Sequence, residues 1–388
     1  MRSFERLERE ARGPVLTARA SAFEEARRIF NVGAESVPAV IIQCIGAADV
    51  QAALRFAREE QLPIAVRGAG NSIAGHCLVP DGVVIDLRRL DRLEVDLPNR
   101  TLTVGAGCLW SDVLGALGAA YATPGAFDPR VGVAGLTLGG GYGMLSRLHG
   151  LAADNLLDLD VILADGTAIA ASTAPELLWA MRGAGANFGV ATSLRFRVHP
   201  IRPLLVARVH YPLARLRELL FFYREVVANL PDEASVYLGI GETVDLYGFY
   251  FGDPHQGARL LAHLGRPGGT IGEVLEPRAY AQAHLANTQT FPADHHHHWR
   301  SHFFAELTDR VLETLVTHAA DKPSWMVLEH IGGAIGRPSP DATAFPHRAA
   351  RFGFVSALKW PREAKRPAHA LHAQQALHDA LLPHSLGS

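Results

Sequence analysis

Arg67-Gly-Ala-Gly-Asn-Ser-Ile-Ala-Gly-His-Cys77 sets three glycines among eleven residues, directly after a short apolar run. Glycine reaches positive φ and lets a ligand approach the backbone, so successive N–H groups can converge on an anionic oxygen. Arg67 adds a positive charge beside them. The same composition also makes an ordinary turn, and its meaning depends on what surrounds it. Upstream, residues 39–44 read as a strand and 47–61 as a helix, with Val50, Ala53, Leu54 and Ala57 on one stripe. Residues 63–66 form a second strand. This β-α-β unit delivers the chain to the loop, which is where a ligand loop belongs.

The rest of the sequence narrows the class. The chain has 388 residues, 48% hydrophobic and 20% charged, enough for large cores in two or three domains. A net charge of −2 and the lack of a basic tract argue against nucleic acid as a partner. Cys44, Cys77 and Cys108 match neither a metal cage nor a disulfide framework, which suits a reducing compartment. No apolar run is long enough to span a bilayer, and the charged N-terminus is no signal peptide, so the expected location is cytoplasmic, away from any membrane. Oligomeric state stays open.

Beyond the loop, residues 83–87 read as a buried strand, 93–95 and 101–104 as a hairpin, and 110–120 as a helix. The next glycine region is denser: Val131-Gly-Val-Ala-Gly-Leu-Thr-Leu-Gly-Gly-Gly-Tyr-Gly143 holds six glycines in thirteen positions, too many for a helix. It does not fit the dinucleotide fingerprint, because Met144 stands where the last glycine would fall. Trp110 breaks the same pattern after Gly105 and Gly107. Residues 156–164 and 167–171 are strands joined through Ala164-Asp165-Gly166. A third cluster, Arg182-Gly-Ala-Gly-Ala-Asn-Phe-Gly189, leads into a strand over 191–198.

Three glycine loops, each beside a strand, suggest one extended ligand laid across a mixed sheet. In order, Val66-Arg-Gly-Ala-Gly-Asn-Ser72, Asp81-Gly-Val-Val-Ile-Asp-Leu87, Gly132 to Gly143, Asp154-Asn155-Leu156, Ala164-Asp165-Gly166 and Gly185-Ala-Asn-Phe-Gly-Val190 resemble the PCMH-type FAD-binding domain of the vanillyl-alcohol oxidase superfamily. The similarity is to its berberine-bridge-enzyme-like branch. It implies an FAD-dependent oxidoreductase that takes a hydride from a small organic substrate, an alcohol, amine or sugar-like molecule, and passes the electrons to oxygen or another acceptor. It further implies cofactor-binding roles for Arg67, Gly68, Ala69, Gly70, Asn71 and Ser72 around the pyrophosphate, and for Gly132, Gly135, Gly139, Gly140, Gly141 and Gly143 along the flavin. Asp154, Asn155 and Leu156 would lie near the flavin and ribityl chain, with Gly189 and Val190 on the adenine side.

Two departures bear on attachment. Asn71 holds the position of the histidine that tethers FAD in many of these proteins, and Asp128-Pro129-Arg130 supplies no cysteine for a second tether. Noncovalent FAD is therefore expected. The end at Ser388 falls short of the family's last segment, so a truncated or catalytically degenerate flavin-binding protein is the alternative reading.

The expected architecture is α+β. An FAD-binding domain of two α/β subdomains covers residues 1–200, and a substrate-binding domain with an antiparallel sheet covered by helices covers 201–366. Residues 367–388 begin a C-terminal segment. Glu329, Tyr250, His330 and His347 fall on strand or strand-edge positions of that sheet, and Asp341 lies in a loop where some relatives keep a carboxylate. Of these, Glu329, Tyr250, His347 and Asp341 are the candidates for the catalytic acid or base. His295 to His298 read as a solvated loop, and no metal site is expected, because adjacent histidines rarely converge on one ion.

Overall fold

The computed structural model describes residues 4–268, 270–273, 277–285, 291–319 and 325–387. Its first sheet runs Val15–Leu16, Val40–Gln43, Val83–Asp86, Ile64–Arg67, the last three parallel. Val40–Ile42 and Val83–Ile85 are fully buried because both sheet faces are covered, which explains their unbroken apolar runs. One face receives the helix Ala47–Glu59 through Val50, Ala53, Leu54 and Ala57, and the other is closed by Phe23, Ile29 and Leu78. Each large aliphatic side chain so buried contributes about 1.5–3 kcal/mol.

A second sheet, antiparallel throughout, has the order Leu93–Asp96, Thr101–Gly105, Val190–Arg197, Leu156–Ile162, Ala168–Ala170. Its Leu102, Val104, Leu159, Leu194 and Phe196 join the core of the first sheet. Gly166 closes the hairpin at φ +92°, a conformation that turn demands.

From residue 204 onward the chain builds a large antiparallel sheet: Thr270–Glu273, Leu204–Pro212, Thr243–Tyr250, Ala234–Ile240, Trp325–His330, Phe352–Pro361, His295–Phe304. Strand alternation divides its residues cleanly. Leu205, Ala207, Val209 and Tyr211 point to a helical layer made by Leu216–Val227, Pro254–Ala262, Asp309–Ala319 and Ala368–Leu381. Leu204, Val206, Tyr237, Phe249 and Val327 point the other way, onto Tyr142, Met144 and Leu145 of the glycine-dense loop. The fold is thus α+β, with the two parts meeting across the face that the helices leave free. Among the described residues no helix is long and apolar enough to cross a membrane.

Two expectations are corrected here. A short helix, Val133–Leu138, does form inside the glycine-dense stretch, because Gly135 is the single glycine within it and the rest lie before and after. His295 to His298 are not a solvated loop but the start of the edge strand His295–Phe304, paired residue by residue with 358–361. His297 is buried and stacks on Phe30, while His298 contacts Gln374 on the opposite face. Alternation therefore separates neighbouring rings rather than gathering them.

Candidate active site

The first loop is held from beneath and open above. Arg67 is only 3% exposed, and its guanidinium donates to the backbone carbonyls of Ala26 and Arg28. This corrects the expectation that its charge faces a ligand: the side chain turns under Gly70 (φ +83°), where an added Cβ would come within 3.1 Å of it. Asn31 fixes the far end of the loop, donating to the Ile73 and His297 carbonyls at 2.6 and 2.9 Å. Above this support the N–H groups of Gly68, Ala69, Gly70 and Asn71 meet no acceptor among the described residues, while that of Ser72 is directed at the Cys77 thiol. Four consecutive unpaired donors suit an anionic group such as a pyrophosphate.

The other loops close on the first. A Cβ on Gly132 would sit 2.8 Å from the Ala69 Cβ, so the second loop abuts the cradle directly. Gly135 faces open space and a Cβ on Gly139 would make only ordinary contacts, whereas a Cβ on Gly143 would strike the Gly125 carbonyl. The N–H groups of Ala152 and Ala153 donate to Gly141 and Gly140, both at 2.8 Å, and Gly183 donates to Leu138 at 3.0 Å. Phe345, from the second part of the chain, fills the spaces beside Gly140 and Gly183.

Several resemblance-derived positions have their side chains engaged by the protein. Asp154 makes a two-pronged ion pair with Arg348 at 2.6 and 2.8 Å, and Asn155 donates to the His149 and Leu151 carbonyls and contacts His199 at 2.7 Å. Leu156 and Val190 belong to the hydrophobic core, and Gly189 (φ +153°) packs on Val161. Such residues can offer a ligand only backbone atoms.

The free face of the large sheet carries a transverse row set by strand register: Arg208, Tyr247, Tyr237, Glu329, Gly353, Phe303. Gly353 gives the Glu329 carboxyl its space, since a Cβ there would lie 2.9 Å from Oε2. The Tyr142 hydroxyl reaches across from the glycine loop and donates to the Tyr237 hydroxyl at 2.8 Å. Glu329 has neither ion pair nor hydrogen bond among the described residues, and burial pushes its pKa up to about 7. A carboxyl poised there can take or give a proton near neutrality.

The other catalytic candidates fall elsewhere. Tyr250 is on the helix-covered face, packed near Gly257 with its hydroxyl 3.3 Å from Gln256. His330 shares that face and is engaged by buried Arg147 at 3.0 Å; burial and Arg147 together pull its pKa down to about 2. Asp341 is exposed, and its backbone carbonyl accepts from the Trp179 indole. His347 stacks on Phe303 at 4.3 Å, at the edge of the row. Sequence reasoning missed Tyr142 and Tyr237. Tyr142 had a signal, as the one side chain projecting from Gly-Gly-Gly-Tyr-Gly.

Residues 38–172 match the family model described as FAD binding domain. The chain is 28% identical over 355 residues to the uncharacterized FAD-linked oxidoreductase YgaK of Bacillus subtilis (strain 168), covering 87% of this chain and 79% of that protein. It is 29% identical over 291 residues to (R)-6-hydroxynicotine oxidase of Paenarthrobacter nicotinovorans, covering 71% and 63%. Its fold superposes on the BBE-like 1 protein of Physcomitrella patens with a TM-score of 0.90 at 22% identity, covering 99% of this chain and 89% of that one. The chain therefore carries a PCMH-type FAD-binding domain on a berberine-bridge-enzyme-like fold. It is an FAD-dependent oxidoreductase.

Proposed function

We propose that Glu329 is the base of a reaction in which a small organic molecule is oxidised on the free face of the large sheet. The supporting observation is the Glu329 carboxyl itself, half-buried, unpaired among the described residues and next to the Tyr142–Tyr237 contact. FAD, when bound, supplies the hydride acceptor. In this reading residues 1–200 form the FAD-binding domain, with the N–H groups of 68–71 and the Ser72 side of the loop at the pyrophosphate and the Gly132 to Gly143 and Asp154 to Leu156 segments beside the flavin. Gly189 and Val190 serve the adenine side. Residues 201–366 supply the substrate face, and His347 borders it behind Phe303. Glu329 takes a proton from the substrate heteroatom as the neighbouring C–H bond gives up its hydride. Tyr142 and Tyr237 wall the site and keep water from the carboxyl. Attachment of FAD is noncovalent, because Asn71 offers no nucleophile and buried Cys77 has its thiol pKa raised by burial. The protein works in the cytoplasm on a small molecule, not on nucleic acid.

Glu329→Gln tests the assignment. It should lower the rate of flavin reduction by roughly 10²–10⁴-fold while leaving the bound flavin spectrum intact. Undiminished reduction by this variant would remove Glu329 from the role. Acid precipitation should leave the yellow colour in the supernatant, and colour in the pellet would refute noncovalent attachment.

A further inference from the structure

The surroundings of Glu329 restrict what it can bind. We propose that the substrate is a small amine, carried in as its ammonium form and held between the Glu329 carboxylate and the aromatic rings beside it, an assignment that rests on the site proposed above.

Three observations carry this. First, Glu329 has no cationic partner among the described residues. Two cations on this side of the sheet are committed: Arg208 pairs with Asp245 at 2.9 Å and lies 4.7 Å over the Tyr247 ring, and Arg147 is bound to the Ala234 and Ile331 carbonyls. A buried carboxylate lacking a counter-ion is costly, and a ligand cation is the group that relieves it. Second, the wall is aromatic. Phe127 stands edge-on to Tyr142 and Tyr237, both at 5.4 Å, and Tyr237 is edge-on to Phe249 at 5.7 Å. Ring faces attract a desolvated cation. Third, the wall is poor in free hydrogen-bonding groups. Tyr142 donates to Tyr237, and the neighbouring positions on this face include Val327, Val355 and Gly353. A sugar needs partners for many hydroxyls, and leaving them unmatched is heavily penalised.

The chemistry balances with the cofactor already assigned. The ammonium gives one proton to Glu329. The adjacent carbon then yields hydride, with its electron pair, to FAD, leaving an iminium ion: the amine is oxidised by two electrons and FAD is reduced by two. Water hydrolyses the released iminium to a carbonyl compound and an amine or ammonia.

Binding and reduction are measured separately on FAD-loaded protein. Benzyltrimethylammonium, which cannot be oxidised in this way, should perturb the flavin spectrum and bind more tightly as pH rises through 7. The titratable or charged groups placed around Glu329 are Tyr237 from the next strand and Tyr142 from the glycine loop, with Tyr247 and then Arg208 further along the row and Arg351 two residues from Gly353; burial holds Tyr142 and Tyr237 above their usual pKa, so neither titrates near 7 and Glu329 sets the profile. Glu329→Gln should weaken this binding at least tenfold with no change in FAD content. Anaerobically, arylalkylamines should reduce the flavin at least 100-fold faster than benzyl alcohol or xylobiose. Equal binding of the ammonium probe by the variant, or faster reduction by the alcohol or sugar, overturns the amine assignment and leaves the flavin site standing. Protein that takes up no FAD overturns both.

Discussion

The Tyr142 hydroxyl donates to the Tyr237 hydroxyl at 2.8 Å, joining the glycine-dense loop to the strand beside Glu329. Both phenols have raised pKa values, chiefly through burial, so the bond is between neutral groups and forms in a weakly polar setting where an unmade bond is expensive. Tyr142→Phe leaves the Tyr237 oxygen without this donor, and Tyr237→Phe leaves the Tyr142 hydroxyl without its acceptor. Each should cost about 1–2 kcal/mol in urea unfolding. The double variant should cost less than the sum, with a coupling of about 1 kcal/mol, and a coupling near zero would show that the contact contributes nothing.

Asp154 and Arg348 form another bond between the two parts of the chain, an ion pair largely shielded from solvent. Arg348 is 3% exposed in its side chain and Asp154 12%, and Arg348 also donates to Thr343 at 2.6 Å. Asp154→Asn keeps the shape and leaves the arginine charge unbalanced. Breaking a buried pair in this way costs about 3–5 kcal/mol, so a fall in thermal midpoint of several degrees is expected. Because Asp154 also accepts the Leu151 N–H at 2.9 Å, the same variant should loosen the 151–155 turn and lower FAD retention on dilution. A midpoint within a degree of the parent would mean that solvent compensates the charge.

Gly353→Ala probes the Glu329 site without touching its carboxyl. The added Cβ would lie 2.9 Å from Glu329 Oε2, and the carboxyl must rotate to escape. The backbone at Gly353 is regular strand within Phe352–Pro361, so the fold tolerates alanine. Flavin reduction should slow by about tenfold or more, since small displacements of a catalytic group are strongly felt. FAD content and thermal midpoint should remain near those of the parent. Loss of stability in place of rate would make Gly353 a packing residue only.

What the sequence could and could not convey follows from how these features are encoded. The strands at residues 40–43 and 83–86 announce themselves as Val/Ile runs, and the helix Ala47–Glu59 by its apolar stripe, because burial acts on neighbours along the chain. Glycine density marked the cradle. The direction in which Arg67 points was not legible, because it depends on carbonyls about forty residues away. Glu329 and Tyr250 looked alike as strand residues. Only register separates them: Glu329 falls opposite Tyr237 on the free face, and Tyr250 on the face that the helices cover. His295 to His298 misled because a polar run at a sheet edge has the composition of a loop. The Asp154–Arg348 pair spans 194 residues and leaves no local trace.

His302 offers a test on the opposite side of the sheet. It is 1% exposed, both ring nitrogens lack partners among the described residues, and it stands 4.6 Å from the His378 ring, itself unpaired at Nδ1 among them. Burial, with His378 adding to it, pulls the His302 pKa from 6.5 down to about 4. His284, also buried, is likewise held near 4. Between these values the unfolded chain binds protons that the folded chain refuses, so stability is present above about pH 6.5 and is lost as pH falls toward 4. The thermal midpoint should therefore drop between pH 7 and pH 5. His302→Leu removes two unpaired buried nitrogens from a site beside Phe304 and Phe354, so it should stabilise the protein by about 1 kcal/mol or more at pH 7. Its advantage over the parent should widen toward pH 5, because the variant no longer carries a proton acceptor that folding suppresses. A gap that stays constant with pH would show that His302 is free to protonate in the folded protein.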